Sequence, residues 1–144
     1  MGPSFQVTFD CADPRAMMAF WSAALGYEVP APPGGAESWE AWLTEQGVPE
    51  ARWNDKGAIE DPDGARPRIF FQKVPEPKTV KNRVHLDVNA GGPKGTPAEE
   101  RQASVQAAVE RLEGLGATKV EARAEMGDAW VVMLDPEGNE FCVQ

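Results

Sequence analysis

The most constraining feature of the chain is a near-duplicate. Asp61-Pro62-Asp63-Gly64 is followed by Arg68-Ile69-Phe70-Phe71-Gln72, and Asp135-Pro136-Glu137-Gly138 by Glu140-Phe141-Cys142-Val143-Gln144. Each copy is a tight-turn tetrapeptide entering an apolar run, the pattern of a hairpin. The loop of the first copy is two residues longer, so the repeat is approximate. It divides the chain into halves of about 1–75 and 80–144, separated by the proline- and charge-rich crossing Pro75–Asn82. With 144 residues there is room for one substantial core and not for two, which makes a single domain over 1–144 the expectation.

The elements around the hairpins follow the same order in each half. Phe5–Cys11 alternates, with Phe5, Val7, Phe9 and Cys11 on one face and Gln6, Thr8 and Asp10 on the other, which predicts a half-buried strand. A helix follows, with Asp13 as cap, Pro14 in the first turn, Met17, Phe20, Trp21 and Leu25 at helical spacing, and Gly26 as stop. Tyr27–Val29 can begin a strand before the loop at Pro30–Gly35. Ser38–Gln46 predicts a short helix carrying Trp39, Trp42 and Leu43 at i, i+3 and i+4, ended by Gly47. The second half opens with a strand over Arg83–Val88. A helix from about Pro97 to Gly114 carries the stripe Val105, Ala108, Val109 and Leu112. A strand at Thr118–Ala122 and the hairpin Trp130–Gln144 complete it.

Charge narrows the class of partner. A net charge of -9 repels a phosphate backbone, and no basic run interleaved with aromatics offsets it, so neither nucleic acid nor an anionic membrane is an expected partner. No apolar stretch approaches the ~18 residues of a membrane span. MGPSFQVTFDC lacks a basic segment leading into an apolar run, which points to the cytoplasm. Cys11 and Cys142 lie in apolar runs and read as buried, reduced thiols.

Three stretches carry a family resemblance: Asp13 to Gly26 with its D-P start and F-W-x-x-x-L-G ending, Val80–Val88 (VKNRVHLDV), and Asp135–Phe141 (DPEGNEF). Together they resemble the glyoxalase-like domains of the vicinal oxygen chelate superfamily, across nearly the whole chain. The resemblance implies an α+β fold of two βαβββ modules pairing into a curved, cavity-forming sheet with the helices outside. It also implies a metal held by one residue from each of four strands, and a homodimer. The corresponding positions here are Gln6, Phe70, His85 and Cys142, with Glu140 two residues before Cys142. Phenylalanine ligates nothing, so a divalent metal has as candidates only Gln6, His85, Glu140 and Cys142, an incomplete set.

Strand alternation places Gln6, Thr8, Phe70, Gln72, His85, Asp87, Glu140 and Cys142 on the cavity side as candidate ligand-binding residues. A histidine side chain can serve as acid, base or ligand, and His85 and Glu140 are the candidate catalytic groups. Trp21 reads as core; Trp39, Trp42, Trp53 and Trp130 include candidates for an aromatic wall around a flat organic ligand. Asp61–Gly64 and Asp135–Gly138 lack the acidic ladder of a calcium loop and read as turns. The expected function is binding of a small organic molecule in the inter-sheet cavity, without a complete chelate. The alternatives are a metal-dependent lyase, isomerase or dioxygenase acting on vicinal oxygens, and a metal-free enzyme moving protons through His85 with Asp87 or Glu140.

Overall fold

The computed structural model describes residues 1–144, which divide into two compact units, Met1–Pro77 and Lys78–Gln144. The first contains β1 (Val7–Cys11), α1 (Pro14–Leu25), α2 (Trp39–Glu45), β2 (Lys56–Ile59) and β3 (Ile69–Lys73), with single 3-10 turns at Pro33–Gly35 and Glu50–Arg52. Strand order is β1-β3-β2, β1 parallel and β2 antiparallel to β3. Helix α1 starts where the Asp13 carboxylate accepts the Ala16 N–H at 3.2 Å. It stops at Gly26, whose φ of 68° suits a residue without a side chain. Its stripe of Met17, Phe20 and Trp21 is buried together with Ile59, Ile69 and Phe71. Phe9 joins this core, its ring centroid 5.4 Å from those of both Trp21 and Phe71.

The second unit contains β4 (Asp87–Val88), α3 (Ala98–Gly114), β5 (Thr118–Glu125), β6 (Asp128–Leu134) and β7 (Glu140–Val143). Its order is β4-β7-β6-β5, with β4 parallel to β7 and the other pairs antiparallel. The core is Val109 and Leu112 of α3 with Val131, Met133, Phe141 and Val143. In both units the opening strand runs parallel to the closing strand, with a helix between. This is an α+β architecture of two open mixed sheets. The repeated turns match in detail. Asp61 accepts N–H groups of Asp63, Ala65 and Arg66, and Asp135 those of Glu137 and Asn139, both aspartates being buried.

Strand limits differ from the sequence reading in four places. The first strand begins at Val7, not Phe5, and Phe5 is 72% exposed. There the Val7 N–H donates to the Arg68 carbonyl at 3.0 Å, the first bond of the parallel ladder. Tyr27–Val29 contributes only a bridge, Glu28 with Glu60, and Pro30, which has no N–H to donate, interrupts the ladder. Of Arg83–Val88 only Asp87–Val88 is strand. The chain before it is held by the Glu140 side chain, which accepts the Asn82 N–H, instead of by a ladder. The strand at Thr118 runs on to Glu125 and turns through Met126 and Gly127, both at positive φ.

Candidate functional site

Each unit has a recess, and the two differ in chemistry. In the first, Phe70 and its cross-strand partner Ala58 lie on the sheet face opposite Phe71. Helix α2 is capped by the Ser38 hydroxyl, which accepts the Ala41 N–H at 3.0 Å. That start places Trp39, Trp42 and Leu43 along the rim of a cavity of about 580 Å³, with Met18, Val29, Pro30, Val48 and Trp53 completing its apolar wall. The indole N–H of Trp39 donates to the Pro30 carbonyl at 2.7 Å and that of Trp53 to the Val48 carbonyl at 3.0 Å. Their ring orientations are thereby fixed. Trp39 and Trp42 meet edge to face, centroids 5.6 Å apart. Gly57 lets Met18 reach the wall, since a Cβ at that position would overlap the Met18 sulfur.

Charged side chains border this recess: Arg15, Arg52, Lys56 and Arg68 against Glu40 and Asp55. Arg52 pairs with Asp55 at 3.0 Å and Arg68 with Glu60 at 3.1 Å. The Arg68 guanidinium also lies 5.7 Å from the centre of the Phe70 ring.

In the second unit a smaller recess, about 310 Å³, is polar, with His85, Asp87, Glu140, Cys142, Lys81, Arg123 and Trp130 among its lining residues. The register that pairs Asp87 with Cys142 brings β4 and β7 side chains together. His85 Nε2 is 3.3 Å from Asp87 Oδ1. The donor atoms of His85, Asp87 and Cys142 all lie within 4.8 Å of one another. Burial, followed by the nearby Asp87 carboxylate, pushes the Cys142 thiol above its ordinary value, which keeps it protonated and poorly nucleophilic. Glu140 is shifted the opposite way. The Asn82 N–H at 2.9 Å, helped by Lys78 at 3.2 Å, holds its carboxyl below the usual range. It is a fixed anion, poorly suited to giving or taking a proton near neutrality.

The candidate residues thus fall into separate groups. His85, Asp87, Glu140 and Cys142 share the polar recess, and Phe70 lines the aromatic one. Gln6 lies outside β1 and accepts from Arg68 at 2.9 Å. Thr8 is opposite Phe70 in register and exposed, and Gln72 reaches Asp10 at 3.5 Å; neither belongs to the recess wall. Of the tryptophans, Trp21 is core, Trp130 lines the polar recess, and Trp39, Trp42 and Trp53 line the apolar one. Sequence reasoning missed Arg15, Met18, Val48, Lys56 and Arg68. The available signal was the pairing of a serine cap with two tryptophans and a leucine on one face of a short helix.

Comparison with known sequences and structures places this geometry. The profile described as Glyoxalase-like domain matches residues 6–144. The chain belongs to the Glyoxalase-like domain family. No curated protein sequence matches it. Among solved structures it is similar to a glyoxalase/bleomycin resistance protein/dioxygenase family enzyme from Burkholderia phytofirmans. The identity is 18% and the TM-score 0.61, over 96% of this chain and 94% of that one. It is also similar to a point mutant of the fosfomycin resistance protein FosX from Listeria monocytogenes, complexed with Mn(II) and 1S,2S-dihydroxypropylphosphonic acid. There the identity is 12% and the TM-score 0.64, over 100% and 90% of the respective chains. A hypothetical protein from S. aureus matches at 14% identity and TM-score 0.60, over 99% and 96%. At these identities the likeness establishes the fold.

The metal that the family resemblance implies does not fit the four positions. Phe70 has no donor atom, and the Gln6 amide oxygen is engaged by the Arg68 guanidinium. The Glu140 carboxylate beside Cys142 is engaged by Lys78 and Asn82. Only His85 and Cys142 remain from that set, with Asp87 as a neighbour from outside it. No helix is long and apolar enough to cross a membrane.

Proposed function

We propose that this glyoxalase-like protein binds a small planar organic molecule in the tryptophan-lined recess of its first unit, without a complete chelated metal. The observation that carries the reading is the fixing of Trp39 and Trp53 by hydrogen bonds to backbone carbonyls beside Trp42 and Phe70. Rigid aromatic walls around several hundred Å³ suit a ring system, because little side-chain entropy is lost when it stacks. The same reading takes the chain as one domain, forming a cytoplasmic homodimer with neither nucleic acid nor membrane as partner.

Calorimetric titration with 2-naphthalenemethanol tests it. The wild-type chain binds the probe, and Trp42→Ala weakens binding about tenfold, the value of one lost aromatic contact. Absence of binding at millimolar probe, or equal affinity in the variant, refutes the reading.

One observation favours a second reading, a metal-dependent lyase, isomerase or dioxygenase: the convergence of His85, Asp87 and Cys142. Elemental analysis of untagged protein purified without chelator separates the two. Less than about a tenth of an equivalent of Zn, Ni, Fe, Mn or Co per chain removes the metalloenzyme.

A further inference from the structure

We infer that the ligand of the tryptophan-lined recess is a planar anion, such as an aromatic carboxylate, with its ring between the indoles and its charged group at Arg15 and Lys56. This rests on the binding reading above and adds the charge of the ligand to it. The chain as a whole carries -9, so a typical stretch of its surface is acidic. The border of this recess is instead basic, four cationic side chains against two acidic ones. Two of the cations are already committed, Arg52 to Asp55 and Arg68 to Glu60. Arg15 and Lys56 make no ion pair with the protein, and Glu40 is the one acidic member of the border outside such a pair.

The positions of these two cations are set by the fold. The Arg15 N–H donates to Asn54 Oδ1 at 2.8 Å, and Asn54 Nδ2 donates to Asp13 Oδ1 at 2.8 Å. That bridge ties the first turn of α1 to the segment entering β2. Lys56 opens β2 on the same face as Ala58, two residues along the strand. Both side chains therefore start at the edge of an apolar floor. Beside such a floor, water competes less for a charge, and a Coulomb contact is stronger than on open surface. The acidic remainder of the molecule weighs little against this at physiological salt, where charges more than about 8 Å apart are largely screened. A cationic ligand would meet an excess of positive charge, Arg15 and Lys56 against Glu40, and a neutral one would leave that excess unused.

Calorimetry with three probes of one shape tests the inference: 2-naphthoate, neutral 2-naphthalenemethanol and 2-naphthylmethylammonium. At about 0.15 M salt, 2-naphthoate is expected to bind about tenfold more tightly than the alcohol, the value of two partly exposed charge contacts, and the ammonium more weakly than either. In an R15Q/K56Q double variant the naphthoate-to-alcohol affinity ratio falls to about two or less, and added salt narrows it in the wild type. If the alcohol or the ammonium binds as tightly as naphthoate, the inference fails while the binding reading stands. A naphthoate preference that survives the double variant overturns the assignment to Arg15 and Lys56. If none of the three binds, both fall together.

Discussion

Glu140 offers the sharpest test of how the second unit uses its polar residues. Its carboxylate accepts the Asn82 N–H at 2.9 Å and pairs with Lys78 at 3.2 Å, and its side chain is only 21% exposed. A hydrogen bond from a backbone N–H to a charged acceptor contributes about 1.5–3 kcal/mol, and a partly exposed ion pair less than about 1 kcal/mol. Glu140→Ala removes both and is expected to cost about 2 kcal/mol. Glu140→Gln keeps an acceptor for Asn82 and costs about 1 kcal/mol. With a urea slope near 2 kcal/mol per molar for a domain of this size, the midpoints fall by about 1 M and about 0.5 M. The dependence on pH has a definite sign. Because the folded-state pKa lies below the ordinary 4.5, the ionic stabilisation is fully present above pH 4.5 and is lost as pH falls through the folded-state value. The gap between wild type and Glu140→Gln, measured by urea unfolding at pH 7 and again near pH 3, therefore narrows in acid. Equal midpoints at pH 7, or a gap that widens in acid, would refute the anchoring role. A carboxylate kept unpaired for a metal gives the opposite result, since neutralising it relieves repulsion and stabilises the metal-free protein.

Two further perturbations separate core from site and thiol from thiolate. Phe71, fully buried and stacked on Phe9, should cost about 3–5 kcal/mol on replacement by Ala. Half-buried Phe70 should cost much less stability while Phe70→Ala weakens binding of 2-naphthalenemethanol; urea melts and calorimetry on the two variants check the contrast. Cys142, raised above its ordinary value by burial and by Asp87, should react with iodoacetamide at about pH 7.4 at least about tenfold more slowly than a small free thiol. Asp87→Asn should speed that reaction, as followed by mass spectrometry, and equal rates in both proteins would show that Asp87 does not act on the thiol.

What the sequence makes legible here is what local chemistry decides. Asp13, Pro14 and Gly26 bound α1, and Ser38 starts α2, because caps act within one turn. The two Asp-Pro-x-Gly turns close on their own N–H groups in the same way wherever they occur. Strand ends are less legible because a ladder runs only as far as its partner segment stays beside it. The chain before Asp87 is held at Asn82 by the Glu140 side chain, and no periodicity within Arg83–Val88 records that.

The same distinction governs the candidate site. Alternation along β7 puts Glu140 and Cys142 on one face, and their neighbours His85 and Asp87 follow from the register of β4 on β7. Whether each group is chemically available is decided elsewhere. In sequence Glu140 reads as a base on a polar strand face. Lys78 and the Asn82 N–H, delivered by the crossing segment, turn it into a clamped anion. Gln6 reads as a weak metal ligand until Arg68 takes its oxygen. Both changes remove a donor from the chelate, and both come from residues with no ligand role in the sequence reading. Arg15 and Lys56 show the reverse case. Two ordinary surface cations in sequence gain meaning only because Arg52 and Arg68, beside them, are neutralised by Asp55 and Glu60. In a recess of this kind the informative charge is the one left over after every pairing is made, and that remainder is a property of the folded chain alone.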